Sequence, residues 1–202
     1  MKYLFVDSAT ATLVVAIIID GEIKYLFNEK TGKDMSVMVM PIIKEAFAIA
    51  DIKPKDLDKI FVTIGPGSFT GIRVGLTAVK VMAWALKIPV IPISSLEVIA
   101  SGTPGTHNIA LIDARRGYVY AGGYDKKLVN FYKDRHVLLE DIKEKGKYIS
   151  YDSIKGSLKP KIDILKVIKK HEKNKGINHH KLNPNYLKLT EAEEKLNDKR
   201  SK

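Results

Sequence analysis

The sequence predicts an α/β fold built on a mixed sheet, followed by a second and smaller sheet unit. Three observations lead there. Residues 2–7, 11–20 and 22–29 read as three successive strands. Patterns of helical period at 35–50 and 68–86 alternate with short buried strands at 59–64 and 89–93. After a cluster of turn residues at 101–106, "SGTPGT", a second hairpin pattern starts at 108.

The first strand, "KYLFVD", ends in a polar turn. The second and third are joined by Asp20-Gly21, a two-residue hairpin signal. The helix at 35–50 contains Pro41, which should kink it or mark a late start. Ser68 is suited to cap the helix at 68–86. A strand at 89–93 and a short helix at 94–101 complete a first unit over 1–103. The second unit, 104–202, opens with "NIALIDA" and "GYVYAGGYD" joined at Arg115-Arg116, and its pattern then weakens. Residues 162–168 suit a helix. Thr190 and Glu193 fit a capping box for a last short helix in a tail, 190–202, expected to fray.

Composition narrows the chemistry. With no cysteine there is no disulfide, thiolate metal site or cysteine nucleophile. No apolar run comes near 18 residues, and the N-terminus lacks the basic start of a signal peptide, so a cytoplasmic protein without a membrane partner is expected. The net charge of +11 is uneven. Residues 1–103 hold 11 Lys/Arg and 10 Asp/Glu, whereas 104–202 hold 23 and 13. Such a bias suits an anionic partner such as RNA, or equally a solvated lysine coat.

The glycine-rich stretch "IGPGSFTGIRVG" matches no phosphate template. A P-loop would need a lysine that is absent until Lys80, and the dinucleotide fingerprint starts at Gly65 and Gly67 but its third glycine comes one residue late, at Gly71. Instead Gly67, Gly71 and Gly75 recur every fourth residue and form one row on the helix, extended by Ala78, Met82 and Ala85. Each interior glycine costs about 1 kcal/mol relative to alanine, so the row implies a backbone packed closely against it.

The opposite side of that helix carries Arg73, Thr77, Lys80 and Trp84, the only tryptophan. A large aromatic among polar groups suits an interface anchor. The helix at 35–50 is apolar all round: Met35, Val39, Ile42, Ala46 and Ile49 on one face, and Val37, Met40, Phe47 and Ala48 around Lys44 on the other. One face serves the sheet and the other asks for a partner. The candidate partner surface is therefore Met35, Val37, Met40, Lys44, Phe47, Arg73, Thr77, Lys80 and Trp84.

Catalytic constellations are sparse. No histidines fall at metal-ligand spacing except the adjacent His179-His180, which should diverge on any regular element, so no metal site is expected. No G-x-S-x-G elbow occurs. Asp7 and Asp113 each end a strand at a hairpin. They would either hold a magnesium–phosphate as a residual nucleotide site or bond their own turns.

The block "TIGPGSFTGIRVGLTAVKVMAWALKIPVIPISSLEVIA", with "FVDSAT", "IDARRGYVYAGGYD" and "NPNYLKLTEAEE", resembles the TsaB (YeaZ) family, the partner subunit in bacterial threonylcarbamoyladenosine synthesis on tRNA. The resemblance is clear over 1–125 and thin from 126 to 183. It implies an actin-like (ribonuclease H-like) fold of two lobes, each starting with a β-hairpin, the second lobe reduced. It implies a non-catalytic subunit that binds and activates TsaD, with the ATPase TsaE joining and tRNA reached through the complex. The interface would run through the helices at 35–50 and 68–86. No cofactor would be bound by this chain alone, and ATP or ADP with magnesium would sit at the interface with TsaD. Where the family has a His-Ser pair before the first helix, this chain has Met35-Ser36. Two adhesive helices would also permit a homodimer. The alternatives from other classes are an ATP-binding phosphotransferase using Asp7 and Asp113, a peptidase, for which no nucleophile or metal pair is present, and a basic RNA-binding module.

Overall fold

The computed structural model describes residues 1–188. The expected tail helix, "EAEEKL" with Thr190 and Glu193 as its capping pair, lies outside them. Strands β1 (Lys2–Asp7), β2 (Thr12–Ile19) and β3 (Glu22–Lys30) form an antiparallel meander. Asp20 and Gly21 both take positive φ in its second turn, as the Asp-Gly pair predicts. Helix α1 (Met35–Ile49) leads to β4 (Lys59–Thr63), α2 (Phe69–Leu86), β5 (Val90–Ile93) and α3 (Ser95–Ala100). β4 lies parallel to β1 and β5 parallel to β4, giving a mixed sheet of order β3-β2-β1-β4-β5.

The second sheet repeats that plan. β6 (His107–Asp113), β7 (Tyr118–Asp125), β8 (Asn130–Leu138) and β9 (Lys147–Ile149) are ordered β8-β7-β6-β9, with β9 parallel to β6. The first four strands of each sheet thus share one topology. The second lobe is smaller because its crossover from β8 to β9 is a short 3-10 turn and loop instead of a helix, and β9 has only three residues.

The layers follow from burial on both faces of the first sheet. Leu4, Val6, Val15, Ile17, Ile60 and Val62 pack under α1 and α2. On the other face Phe5, Ala16, Ile18, Phe61 and Ile93 meet Val98 of α3 and Ile164, Val167 and Ile168 of α4 (Ile164–His171). α3 also buries Leu96 and Ile99 against the second sheet, so it is the shared layer between the lobes. The chain expected to form the second lobe is therefore divided. After residue 160 it returns to the first, where Ile177 bridges Val90 and Leu182 enters the α1/α2 core. This return was invisible in the lysine-rich sequence.

α1 begins at Met35 and runs unbroken through Pro41, whose ring faces solvent. Its buried stripe is Met35, Val39, Ile42, Ile43, Ala46 and Phe47. The stripe thus swings to Phe47, and Ile49, expected inside, is 59% exposed. α2 is eighteen residues and passes for a membrane-crossing helix by length and composition alone, although Arg73 and Lys80 interrupt its apolar residues. Its buried residues, Ile72, Leu76, Val79 and Ala83, are packed in the sheet layer.

The close approach implied by the glycine row comes from the turn after β1. A Cβ at Gly71 would lie 2.1 Å from the Ser8 carbonyl oxygen, and one at Gly75 would lie 2.2 Å from Ser8 Oγ. Gly71→Ala is accordingly expected to lower the unfolding free energy by about 1–3 kcal/mol, read from the urea midpoint, through overpacking, whereas the same change in an open helix would stabilise.

Candidate functional site

The turn after β1 is stitched into the start of α2. Ser8 Oγ donates to the Gly71 carbonyl at 2.8 Å, and Ser68 N–H donates to the Ala9 carbonyl at 2.7 Å. Ser68 caps α2, accepting from Gly71 N–H at 3.2 Å. Gly67, at φ +154°, has the Ala9 carbonyl oxygen 2.1 Å from where a Cβ would stand. The Cβ sides of these glycines are filled by the chain's own turn, while Gly67 and Ser68 also line the cleft between the lobes.

Asp7 lies beneath this turn, 1% exposed. Its Oδ1 accepts from Ala9 N–H at 3.0 Å and from the Thr63 hydroxyl at 2.7 Å. Burial pushes its carboxyl above the ordinary carboxylate range, and those two hydrogen bonds pull the other way. Asp113 instead faces an open cleft of about 580 Å³ between the lobes, beside Thr10, Thr70, Tyr120, Asp152, Arg115 and Lys188. It accepts from Arg115 N–H at 2.8 Å, while its own N–H donates to Asp152. The cleft does not unite the two aspartates. One is sealed in the core and only the other reaches the opening, so they do not fit a magnesium–triphosphate. Among the described residues no three His, Asp or Glu side chains converge to hold a metal ion.

The helix pair is the second candidate. Neither helix is enclosed by its own chain. Val37 is 67% exposed and Met40 51% on α1, and Val81 is 58% and Trp84 64% on α2. Lys44, Thr77 and Arg73 are exposed and Lys80 is half-buried. Two expected members are corrected: Met35 and Phe47 are buried in the α1/α2 core, because the helix stripe that meets the sheet includes both. Arg73 is engaged by its own chain. Its Nε donates to the Tyr186 hydroxyl at 2.7 Å, and its guanidinium lies 5.9 and 5.6 Å from the Phe69 and Tyr186 rings, which stack on each other.

Val81 and Ile49 were missed as exposed positions. Val81 follows Thr77 by four residues and precedes Trp84 by three, so helical spacing alone places it on that row. Beside Trp84 a groove of about 500 Å³ is lined by Lys87, Pro89, Ile177, His179 and His180. The two histidines do not diverge as expected. Their rings lie 4.1 Å apart, because they occupy a 3-10 turn.

The TsaB of Bacillus subtilis, a tRNA threonylcarbamoyladenosine biosynthesis protein by name, is 34% identical over 96% of this chain and 97% of its own length. The chain belongs to the TsaB (YeaZ) family. Family proteins of the same name from Haemophilus influenzae and Escherichia coli are each 30% identical, over 70% and 62% of this chain and 64% and 56% of theirs. YeaZ from Pseudomonas aeruginosa superposes with a TM-score of 0.81 at 21% identity, over 92% of this chain and 99% of that one. That likeness fixes the fold as actin-like with two lobes. A family model described as TsaD, tRNA N6-adenosine threonylcarbamoyltransferase, also matches residues 28–189. The TsaB-family block at 63–100 thus contains the glycine row, and the row's neighbour is the turn after β1.

Because burial favours the neutral form of Asp7, this carboxyl holds its proton to higher pH in the folded state than in the unfolded chain. Its contribution to stability is full below the unfolded value and declines as pH rises through the folded one. Asp7→Asn keeps the accepting oxygen and removes the charge. It is expected to raise the melting temperature at pH 7.5, with the gain shrinking towards pH 4, as followed by circular dichroism.

Proposed function

We propose that this chain is the non-catalytic partner subunit of a tRNA threonylcarbamoyladenosine synthesis complex, which docks on TsaD through α1 and α2 and holds it in its active arrangement. The observation that carries the reading is the apolar surface left open on two neighbouring helices, with Val37, Met40, Val81 and Trp84 all at least half exposed. Keeping such side chains in water forgoes roughly 25 cal/mol per Å² of apolar area that a partner would recover. The match of a TsaD family model across 28–189, which includes both helices, supports a partner of similar fold. Such a partner would present an equivalent helix pair, so the two chains would meet about a pseudo-two-fold axis. TsaE would join this pair, and tRNA would be reached through the assembly.

Purified protein mixed with TsaD should co-elute and support tRNA modification. Trp84→Asp should weaken association at least tenfold, in line with the ~2 kcal/mol or more typical of buried interface tryptophans, while leaving the thermal melt unchanged because the residue is 64% exposed. Undiminished association after that substitution would rule out this face. A homodimer that Trp84→Asp dissolves while TsaD binding persists would assign the face to self-association.

The chain by itself takes no nucleotide in this reading, since Asp7 and the glycine row are used internally. Calorimetric titration of the isolated protein with magnesium-ATP should give no saturable heat. Micromolar binding with turnover would favour the phosphotransferase alternative.

A further inference from the structure

We propose that the end of the second sheet farthest from the cleft is a contact surface for the phosphodiester backbone of RNA. Four strand ends converge there. His107 opens β6 opposite Asp125, the last residue of β7, while Asn130 opens β8 opposite Tyr124. Lys147 opens β9 opposite Asn108. The β7–β8 turn adds Lys126 and Lys127. The loop before β9 adds Lys145, whose neighbour Gly146 would bring a Cβ to 2.9 Å from the His107 carbonyl oxygen. Lys126, Lys127, Lys145, Lys147 and His107 are all exposed.

None of these five forms an ion pair among the described residues, and Lys147 Nζ donates only to the Pro104 carbonyl. Two carboxylates are near. Asp125 Oδ1 accepts from Lys127 N–H and Val129 N–H, both at 2.8 Å, and its carboxylate is close enough to act on the charges of Lys127 and His107 without pairing with either. Glu144, next to Lys145 in sequence, is close enough to act electrostatically on Tyr132.

A plain lysine coat would have no aromatic at its centre. Here Phe131 is 41% exposed and Val129 57%. The Phe131 ring lies on Gly123, within 2.8 Å of where a Cβ would stand, and the His107 ring meets it edge-on at 4.8 Å. The ring is thus held in place from the sheet side and from the flank. Exposed lysines on the adjoining turn and strand ends, with a fixed, half-open aromatic beside them, are the pairing that nucleic-acid surfaces use, charge for phosphate and ring for base.

The choice of RNA over other polyanions rests on the family reading that the assembly modifies tRNA; the surface itself does not involve α1 or α2. Full-length protein and a tRNA transcript should show binding that weakens steeply with salt. Lys126→Gln and Lys127→Gln together should lower the slope of log K against log salt by about 1.8, at ~0.9 per phosphate contact. Phe131→Ala should weaken binding roughly tenfold with the slope unchanged. Lys24→Gln and Lys30→Gln, on β3, should change neither. Co-elution with TsaD, measured on the same variants, should be unaffected, which separates this surface from the helix pair. An unchanged slope in the turn variants, an equal loss in the β3 controls, or polyglutamate binding as tightly as tRNA would overturn the proposal.

Discussion

The structure depends on one close approach: the backbone at Ser8 and Ala9 lies against the glycine row of α2. No side chain larger than hydrogen fits at Gly67 or Gly71 without moving that backbone, and one at Gly75 would displace the Ser8 side chain. The contact sets the height of α2 over the sheet, and the Ser8 hydroxyl bonded to the Gly71 carbonyl holds it there. With α2 drawn down on its glycine side, the row bearing Thr77, Val81 and Trp84 faces outward. The same contact fills the Cβ side of the glycine row, while Gly67 and Ser68 remain on the wall of the cleft. One packing decision therefore seats the glycine side of α2 and turns its apolar row outward.

Both lobes use the strand order 3-2-1-4, yet they use it differently. The first lobe covers its sheet on both faces with helices and can support an apolar surface on the outer layer. The second has no crossover helix, and Ile142, Leu139 and Ile154 from loops cover its far face. Its share of the basic surplus is modest: residues 104–160 hold 11 Lys/Arg and 7 Asp/Glu, whereas residues 161–188, which return to the first lobe, hold 8 and 2. Positive charge is thus spread over both lobes, while the exposed apolar helix pair belongs to the first.

The sequence made most of this legible where one physical signal dominated. The glycine spacing predicted close packing because helix interiors tolerate glycine poorly without a neighbour. Asp-Gly at 20–21 predicted its turn because both positions need positive φ. What stayed hidden depended on tertiary choice. Nothing in "MSVMVMPIIKEAFAI" says whether Ile49 or Phe47 faces the sheet, since both fit a 3.6-residue period. Asp7 read as a turn residue more readily than as a magnesium–phosphate ligand, but nothing in the sequence showed that Thr63, 56 residues away, bonds it in the core. The return of α4 to the first lobe could not be read because its apolar residues are few and spaced among lysines.

That return has a mechanical consequence. The polypeptide passes between the lobes twice, and Glu97 of α3 grips Lys170 and His171 of α4 at 3.0 and 2.8 Å near the second passage. Tyr186 then fastens the far end of the strand of chain to Arg73. A body tied at two crossings resists the hinge opening that a single linker would allow. The helix pair is accordingly offered on a stiff frame, and a binder meeting it would spend little entropy in freezing its shape.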